Sequence, residues 1–291
     1  MNYTVERGFS TVELNKVFSN TLFREILENG ISIKLDSYLE KVKKTFDFKK
    51  EVSRIELLKS VYDYLLTDHR NEFVYKNFIT NKILLGRHSI NTTTLLNEFK
   101  VGNSQADCVL FNGKATVYEI KSELDSPDRL SLQINDYKKA FRFIYVVVHY
   151  SEIEKYLSII KNTKVGLIGL NRRYQLSEVK ESKPDSSSLD VETMFKCLRK
   201  NEYSEIIKDT KGYLPKVGNM FFYKECLKIA NELDPIFFQK KMVEKLKERK
   251  PRDKNLYTNS DIPEFLTNIC LALDLNNKEY LSLLEYLNKK I

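Results

Sequence analysis

At 291 residues, 42% of them hydrophobic and 30% charged, the chain is long enough for a substantial core and for more than one compact unit. Its 48 basic and 40 acidic residues leave a formal charge of +8, which permits a polyanionic partner without requiring one. No stretch reaches the ~18 apolar residues of a membrane span, the start MNYTVERGFSTVEL has no apolar signal region, and Cys108, Cys197, Cys226 and Cys270 stand at no zinc or CxxC spacing. A cytoplasmic protein with no membrane partner is the expectation.

Residues 1–50 read as a polar N-terminal helical region, with Ile31, Ile33, Leu35, Leu39 and Val42 marking one helix. Val52, Ile55, Leu58, Tyr62 and Leu65 recur at three- and four-residue spacing and predict another. The apolar stretch Phe73 to Leu85 follows and stops at Gly86. Strands are then expected over 94–101, 106–111 and 115–121, the last two joined by a two-residue Asn112-Gly113 turn. Ser126-Pro127-Asp128 opens a helix carrying Leu130, Ile134, Tyr137 and Phe141.

The continuous apolar runs 142–149 and 164–170 read as strands buried on both faces, separated by a helix over 151–160. The pattern predicts an α/β fold with helices packed on a sheet. Residues 181–188 (ESKPDSSS) have linker composition. Helices are expected beyond them over 189–200, 218–232, 235–249, 261–273 and 277–289, forming a C-terminal all-α domain 189–291 after a core at 51–180. Lys240 to Lys254 holds eight basic and three acidic residues. That run suits either a solvated helix face or a surface for nucleic-acid phosphates.

The chemistry concentrates in the middle. Glu119 and Lys121 end a strand and share one face by period-two alternation. A hairpin centred near 112–113 puts Asp107 opposite residue 118, beside Glu119, with register deciding the face. Two neighbouring carboxylates repel unless a cation lies between them, and hard oxygens suit Mg²⁺ or Mn²⁺. Glu98, on the preceding strand, is a third carboxylate within reach. Gln133 and Tyr137 are four apart on the next helix and so share a face.

Asp107, then Glu119-Ile120-Lys121, then Gln133-Ile-Asn-Asp-Tyr137 resemble the PD-(D/E)XK nuclease superfamily. The Gln-xxx-Tyr addition is similar to its RecB-like exonuclease branch. The stretch EIKSELDSPDRLSLQINDY also resembles small stand-alone bacterial and phage members whose role is largely unassigned. The resemblance covers roughly residues 90–170. It implies a restriction-endonuclease-like core, a mixed four- to five-stranded sheet flanked by helices.

The resemblance further implies an Mg²⁺- or Mn²⁺-dependent nuclease acting on DNA, with RNA not ruled out, in phage defence or mobile-element biology. Asp107, Glu119 and Lys121 would be catalytic. Asp107, Glu119, the Ile120 carbonyl and Glu98 would hold the metal, and Lys121 would position the attacking water. Gln133, Tyr137 and Arg129 would contact the nucleic acid, and Asp125 would cap the helix. Ala106 stands where many members have proline.

Two alternatives stay open: a catalytically silent nucleic-acid-binding module, and a protein-interaction module. In the latter, residues 189–291 bind a partner or a second copy. His69, His88 and His149 are scattered and read as surface or packing residues, with Arg87-His88 nearest the expected site. No GxSxG, HExxH or GxxxxGK[ST] motif is present.

Overall fold

The computed structural model describes residues 14, 16–67, 71–123, 125–171, 175–259 and 262–291. His69 lies outside them. By compactness the chain forms two units: the residues up to Leu85 together with Pro251–Ile291, and Gly86–Lys250.

The first unit opens with helices α1 (Asn20–Asn29), α2 (Ile33–Thr45), α3 (Arg54–Thr67) and α4 (Glu72–Phe78). The last continues as a π-helical segment, Ile79–Leu85. Helix α1 buries Leu22, Phe23 and Ile26, a stripe too short to stand out in a polar stretch. It ends at Gly30, whose φ of +74° closes the helix in the left-handed conformation glycine adopts most cheaply. Ser32 starts α2 by accepting the Leu35 N–H at 3.2 Å.

The second unit is built on one six-stranded mixed sheet in sequential order: β1 (Thr94–Val101), β2 (Ser104–Phe111), β3 (Ala115–Lys121), β4 (Phe143–His149), β5 (Gly166–Leu170) and β6 (Leu176–Lys180). Pairing is parallel at β3/β4 and β4/β5 and antiparallel elsewhere. Parallel neighbours need crossovers, and here a short 3₁₀ turn leading into α5 (Leu130–Lys138), and then α6 (Ile153–Ile160), supply them. The sheet thus has six strands, where four or five were expected. Strand β6 escaped the sequence reading because LSEVK is an exposed edge with two apolar residues.

Helices α7 (Val191–Lys196), α8 (Lys200–Lys211), α9 (Asn219–Ala230) and α10 (Pro235–Lys247) follow. Their Phe195, Ile206, Phe238 and Leu246 join the same buried cluster as Phe99, Phe111, Val117, Phe141 and Val146 of the sheet layer. Helix α8, unforeseen in the sequence, buries Tyr203, Ile206 and Ile207 there. Residues 189–250 therefore pack with the sheet.

The 181–188 segment is also tied down. The Ser182 hydroxyl accepts the Ile144 N–H at 3.1 Å, and the Lys183 and Asp185 N–H groups donate to Lys164 and Arg142 carbonyls, each at 2.9 Å. Its composition reads as a linker, but its backbone groups find partners at the strand starts.

The chain returns to the first unit with α11 (Asn255–Asn259), α12 (Thr267–Ala272) and α13 (Asn277–Asn288). Arg54 of α3 grips Asp36 of α2 with two bonds, at 2.7 and 2.9 Å, while the Tyr286 hydroxyl of α13 donates to Asp36 at 2.6 Å. No helix among the described residues is long and apolar enough to cross a membrane.

Candidate active site

The site begins where a ladder stops. Strands β2 and β3 pair from Phe111↔Ala115 to Cys108↔Tyr118 and no further. The connecting loop has three residues, Asn112 to Lys114, in place of the expected two. This extra residue moves the register by one, so Asp107 is aligned with Glu119 and not with Tyr118. Beyond Cys108 the Asp107 side chain replaces the ladder: its Oδ2 accepts the Ile120 N–H at 2.7 Å. Ile120 thus meets Asp107 through its N–H.

A second irregularity lies on the other side of Asp107. In the β1/β2 register Asn97 pairs with Cys108 and Phe99 with Ala106, which leaves Glu98 facing Asp107 across the strands. Glu98 has φ +54°, a left-handed conformation that costs a non-glycine residue of order 1–3 kcal/mol and tends to collect at functional sites. It resets the alternation: Leu96 and Phe99, three apart, both pack on the same core. Glu98 itself is exposed, with Gln105 Nε2 at 3.5 Å.

Glu119 is the buried centre, at 1% exposure. The Lys121 ammonium lies 2.9 Å from its Oε1, and Gln133 Nε2 donates to the same oxygen at 2.5 Å. Lys121 in turn donates to Gln133 Oε1 at 2.9 Å, closing a three-residue ring. The Tyr137 hydroxyl lies 2.7 Å from Glu119 Oε2 and 3.0 Å from the Gln105 carbonyl. The four-residue spacing on α5 therefore delivers both expected side chains to the strand end.

Burial pushes the Glu119 carboxyl up, against the opposing pull of the Lys121 charge and the three hydrogen bonds. Burial, then the neighbouring Glu119, pushes the Tyr137 phenol up as well, so it remains a proton donor. Its single proton serves one of its two acceptors at a time.

The remaining candidates lie on the turn that leads from β3 into α5. Arg129 is exposed at the end of the 3₁₀ turn before α5. Asp125 accepts the Ser122 N–H and hydroxyl, each at 2.7 Å, and so braces the turn leaving β3. The helix-opening cap is Ser126, whose hydroxyl accepts the Asp128 N–H at 3.2 Å.

His88 is not at the site, whereas the Arg87 charge acts on Tyr118, next to Glu119. The His88 ring sits 3.3–3.4 Å from the Asn112 amide at the far end of the hairpin. The five-residue step from Asp107 to Asn112 spans roughly 16 Å of strand. His149, read as packing, ends β4 one residue beyond the Val148↔Lys121 pair. It is 4% exposed, with Nδ1 2.7 Å from Glu123.

Among the described residues no group of three or more His, Cys, Asp or Glu is gathered to hold a metal ion. Asp107 and Glu119 are hard-oxygen donors on adjacent strands, and Mg²⁺ commonly uses one or two carboxylates and fills its shell with water and phosphate. That donor set fits such an ion.

A family model described as bacteriophage P4 protein cII matches residues 66–269, more than half of the chain. No curated protein and no solved structure matches.

Proposed function

We propose that this chain, which belongs to the bacteriophage P4 protein cII family, is a metal-dependent nuclease on a restriction-endonuclease-like core, cutting phosphodiester bonds in DNA. Cytoplasmic phage defence or mobile-element biology is the setting that reading suggests. The observation that supports it is the Glu119–Lys121–Gln133 ring, beside Asp107, at a break in sheet pairing. A charged ring buried against α5 serves packing poorly, because taking charges out of water costs several kcal/mol per ion.

Asp107 and Glu119 would hold Mg²⁺ or Mn²⁺, with the Ile120 carbonyl and Glu98 as further oxygens. When bound, the ion supplies Lewis-acid polarisation of the phosphate. Lys121 would orient the attacking water through Nζ and set positive charge against the phosphate oxygens as negative charge builds there. Gln133 fixes the Lys121 ammonium through Oε1, and Tyr137 fixes Glu119. Arg129, exposed at the start of α5, would meet the strand's backbone phosphates.

The test is cleavage of linear, circular and single-stranded DNA, and of RNA, with Mg²⁺, Mn²⁺ or EDTA, comparing the wild type with Lys121→Ala. Metal-dependent cutting that the variant loses is expected. Equal cutting by both would remove Lys121 from the mechanism.

One observation favours the silent-module reading: both Glu119 oxygens have internal partners, as a structural buried acid would. A Mg²⁺- or Mn²⁺-induced rise in melting temperature, lost in Asp107→Asn, separates the two.

A further inference from the structure

A cavity of about 570 Å³ opens at the opposite end of the sheet, between the β2–β3 loop, the start of β4 and one face of α10. It lies within the range of small-molecule sites. The step from Ala115 to Lys121 along β3 separates it from the candidate active site by roughly 20 Å.

Its charge is unbalanced. Lys114, Arg142, Lys240 and Lys247 line it, and none of them forms an ion pair among the described residues. Its two acids are already engaged. Asp234 Oδ1 accepts the Phe237 N–H at 2.8 Å as the α10 cap, and Glu244 pairs with Lys241 at 3.0 Å. Elsewhere in the basic stretch cations are consumed internally: Arg249 grips Glu202 with two 2.6 Å bonds, and Lys245 pairs with Glu205 at 2.7 Å. Lys240 and Lys247, which have no such partner, line the cavity.

Arg142 contributes charge to the wall, although its Nε is itself buried and closed to a ligand. The wall is also aromatic and apolar. Phe143 lines it under the Lys114 ammonium, 4.4 Å from the ring centre, and Phe237 and Ile236 of α10 stand 40% and 48% exposed at it.

We propose that this cavity binds a mononucleotide, its phosphate held by Arg142, Lys240 and Lys247 and its base laid against Phe237 and Ile236. Cations alone would suit any phosphate, and rings alone any apolar molecule. The two on one wall select a ligand carrying a phosphate and a flat ring.

Calorimetric titration of the full chain with AMP, adenosine, inorganic phosphate and a single-stranded oligonucleotide tests this. AMP should bind at least tenfold tighter than adenosine or phosphate. Arg142→Gln and the exposed Lys240→Glu should each weaken AMP at least tenfold, while Lys208→Glu on α8 should not. Lys240→Glu decides the matter if Arg142→Gln fails to fold. No AMP binding, phosphate binding as tightly as AMP, or an oligonucleotide that binds where AMP does not would each overturn the assignment.

Discussion

Asp107 and Ile120 are joined side chain to backbone at the point where β2 and β3 cease to pair, the carboxylate accepting the N–H at 2.7 Å. One residue thus ends a ladder with its own side chain, at the position aligned with Glu119. Asparagine keeps an acceptor for Ile120, whereas alanine leaves a partly buried N–H unmet, at about 1–3 kcal/mol. Asp107→Asn should therefore melt within a few degrees of the wild type and Asp107→Ala well below it. Both should cut at least ~100-fold more slowly, the scale of losing one charge-stabilising group. Calorimetry and a cleavage time course separate the two effects, and normal cutting by Asp107→Asn would exclude the carboxylate from the chemistry.

The Tyr137 hydroxyl lies between Glu119 and the Gln105 carbonyl, and it is buried with Glu119. Tyr137→Phe retains the ring and removes the donor. Urea unfolding should show a loss of about 1–3 kcal/mol, because the buried Glu119 carboxylate stays behind without that donor. Unchanged stability would mean that the hydroxyl does not order Glu119.

The first unit provides the pH test. Burial tends to raise the Asp36 carboxyl, but hydrogen bonds from Arg54 and Tyr286, with the Arg54 charge, overcome it and hold the group below its ordinary 3.8. A lowered folded value means the unfolded chain binds the proton first. The stabilisation is thus complete above about pH 4 and fades as pH falls through the folded value. Asp36→Asn should cost roughly 1–3 kcal/mol at neutral pH. Its deficit against the wild type should shrink as the pH is lowered below 3.8. A deficit independent of pH would show that packing, not charge, holds α2 to α3 and α13.

Much of this was legible in the chain because period and spacing carried it. Strand β3 begins and ends where its β-branched run does, and Gln133 and Tyr137 reach Glu119 as a four-residue spacing dictates. Three things escaped for physical reasons. Glu98 adopts a positive φ that a glutamate does not advertise, so the phase shift in β1 was invisible. The loop at 112–114 differs from a two-residue turn by one residue, which composition cannot resolve. The alliance of α7–α10 with the sheet depends on long-range burial of Phe195, Phe238 and Leu246, and a serine-rich segment before them looks like a boundary while its backbone is pinned to β4 and β5.

Gly166 tests that pinning. It pairs with Tyr145 across β4 and β5, and a Cβ there would overlap the Tyr145 ring and come within 2.7 Å of the Ser182 nitrogen. Tyr145 has little room to yield, since it stacks on Tyr118 at 5.8 Å and its hydroxyl donates to Glu178 at 2.7 Å. Moving Ser182 would strip the Ile144 N–H of its acceptor. Gly166→Ala should then destabilise the sheet unit by about 3 kcal/mol, at the upper end of overpacking costs. Faster proteolysis at 181–188 should accompany the loss as the segment comes free. Gly169→Ala is the milder comparison: its Cβ would press on the Ile153 side chain at 2.8 Å, with no backbone atom among its three nearest contacts. Equal losses in the two variants would mean that the strand itself, and not the Tyr145–Ser182 contact, is what rejects a side chain.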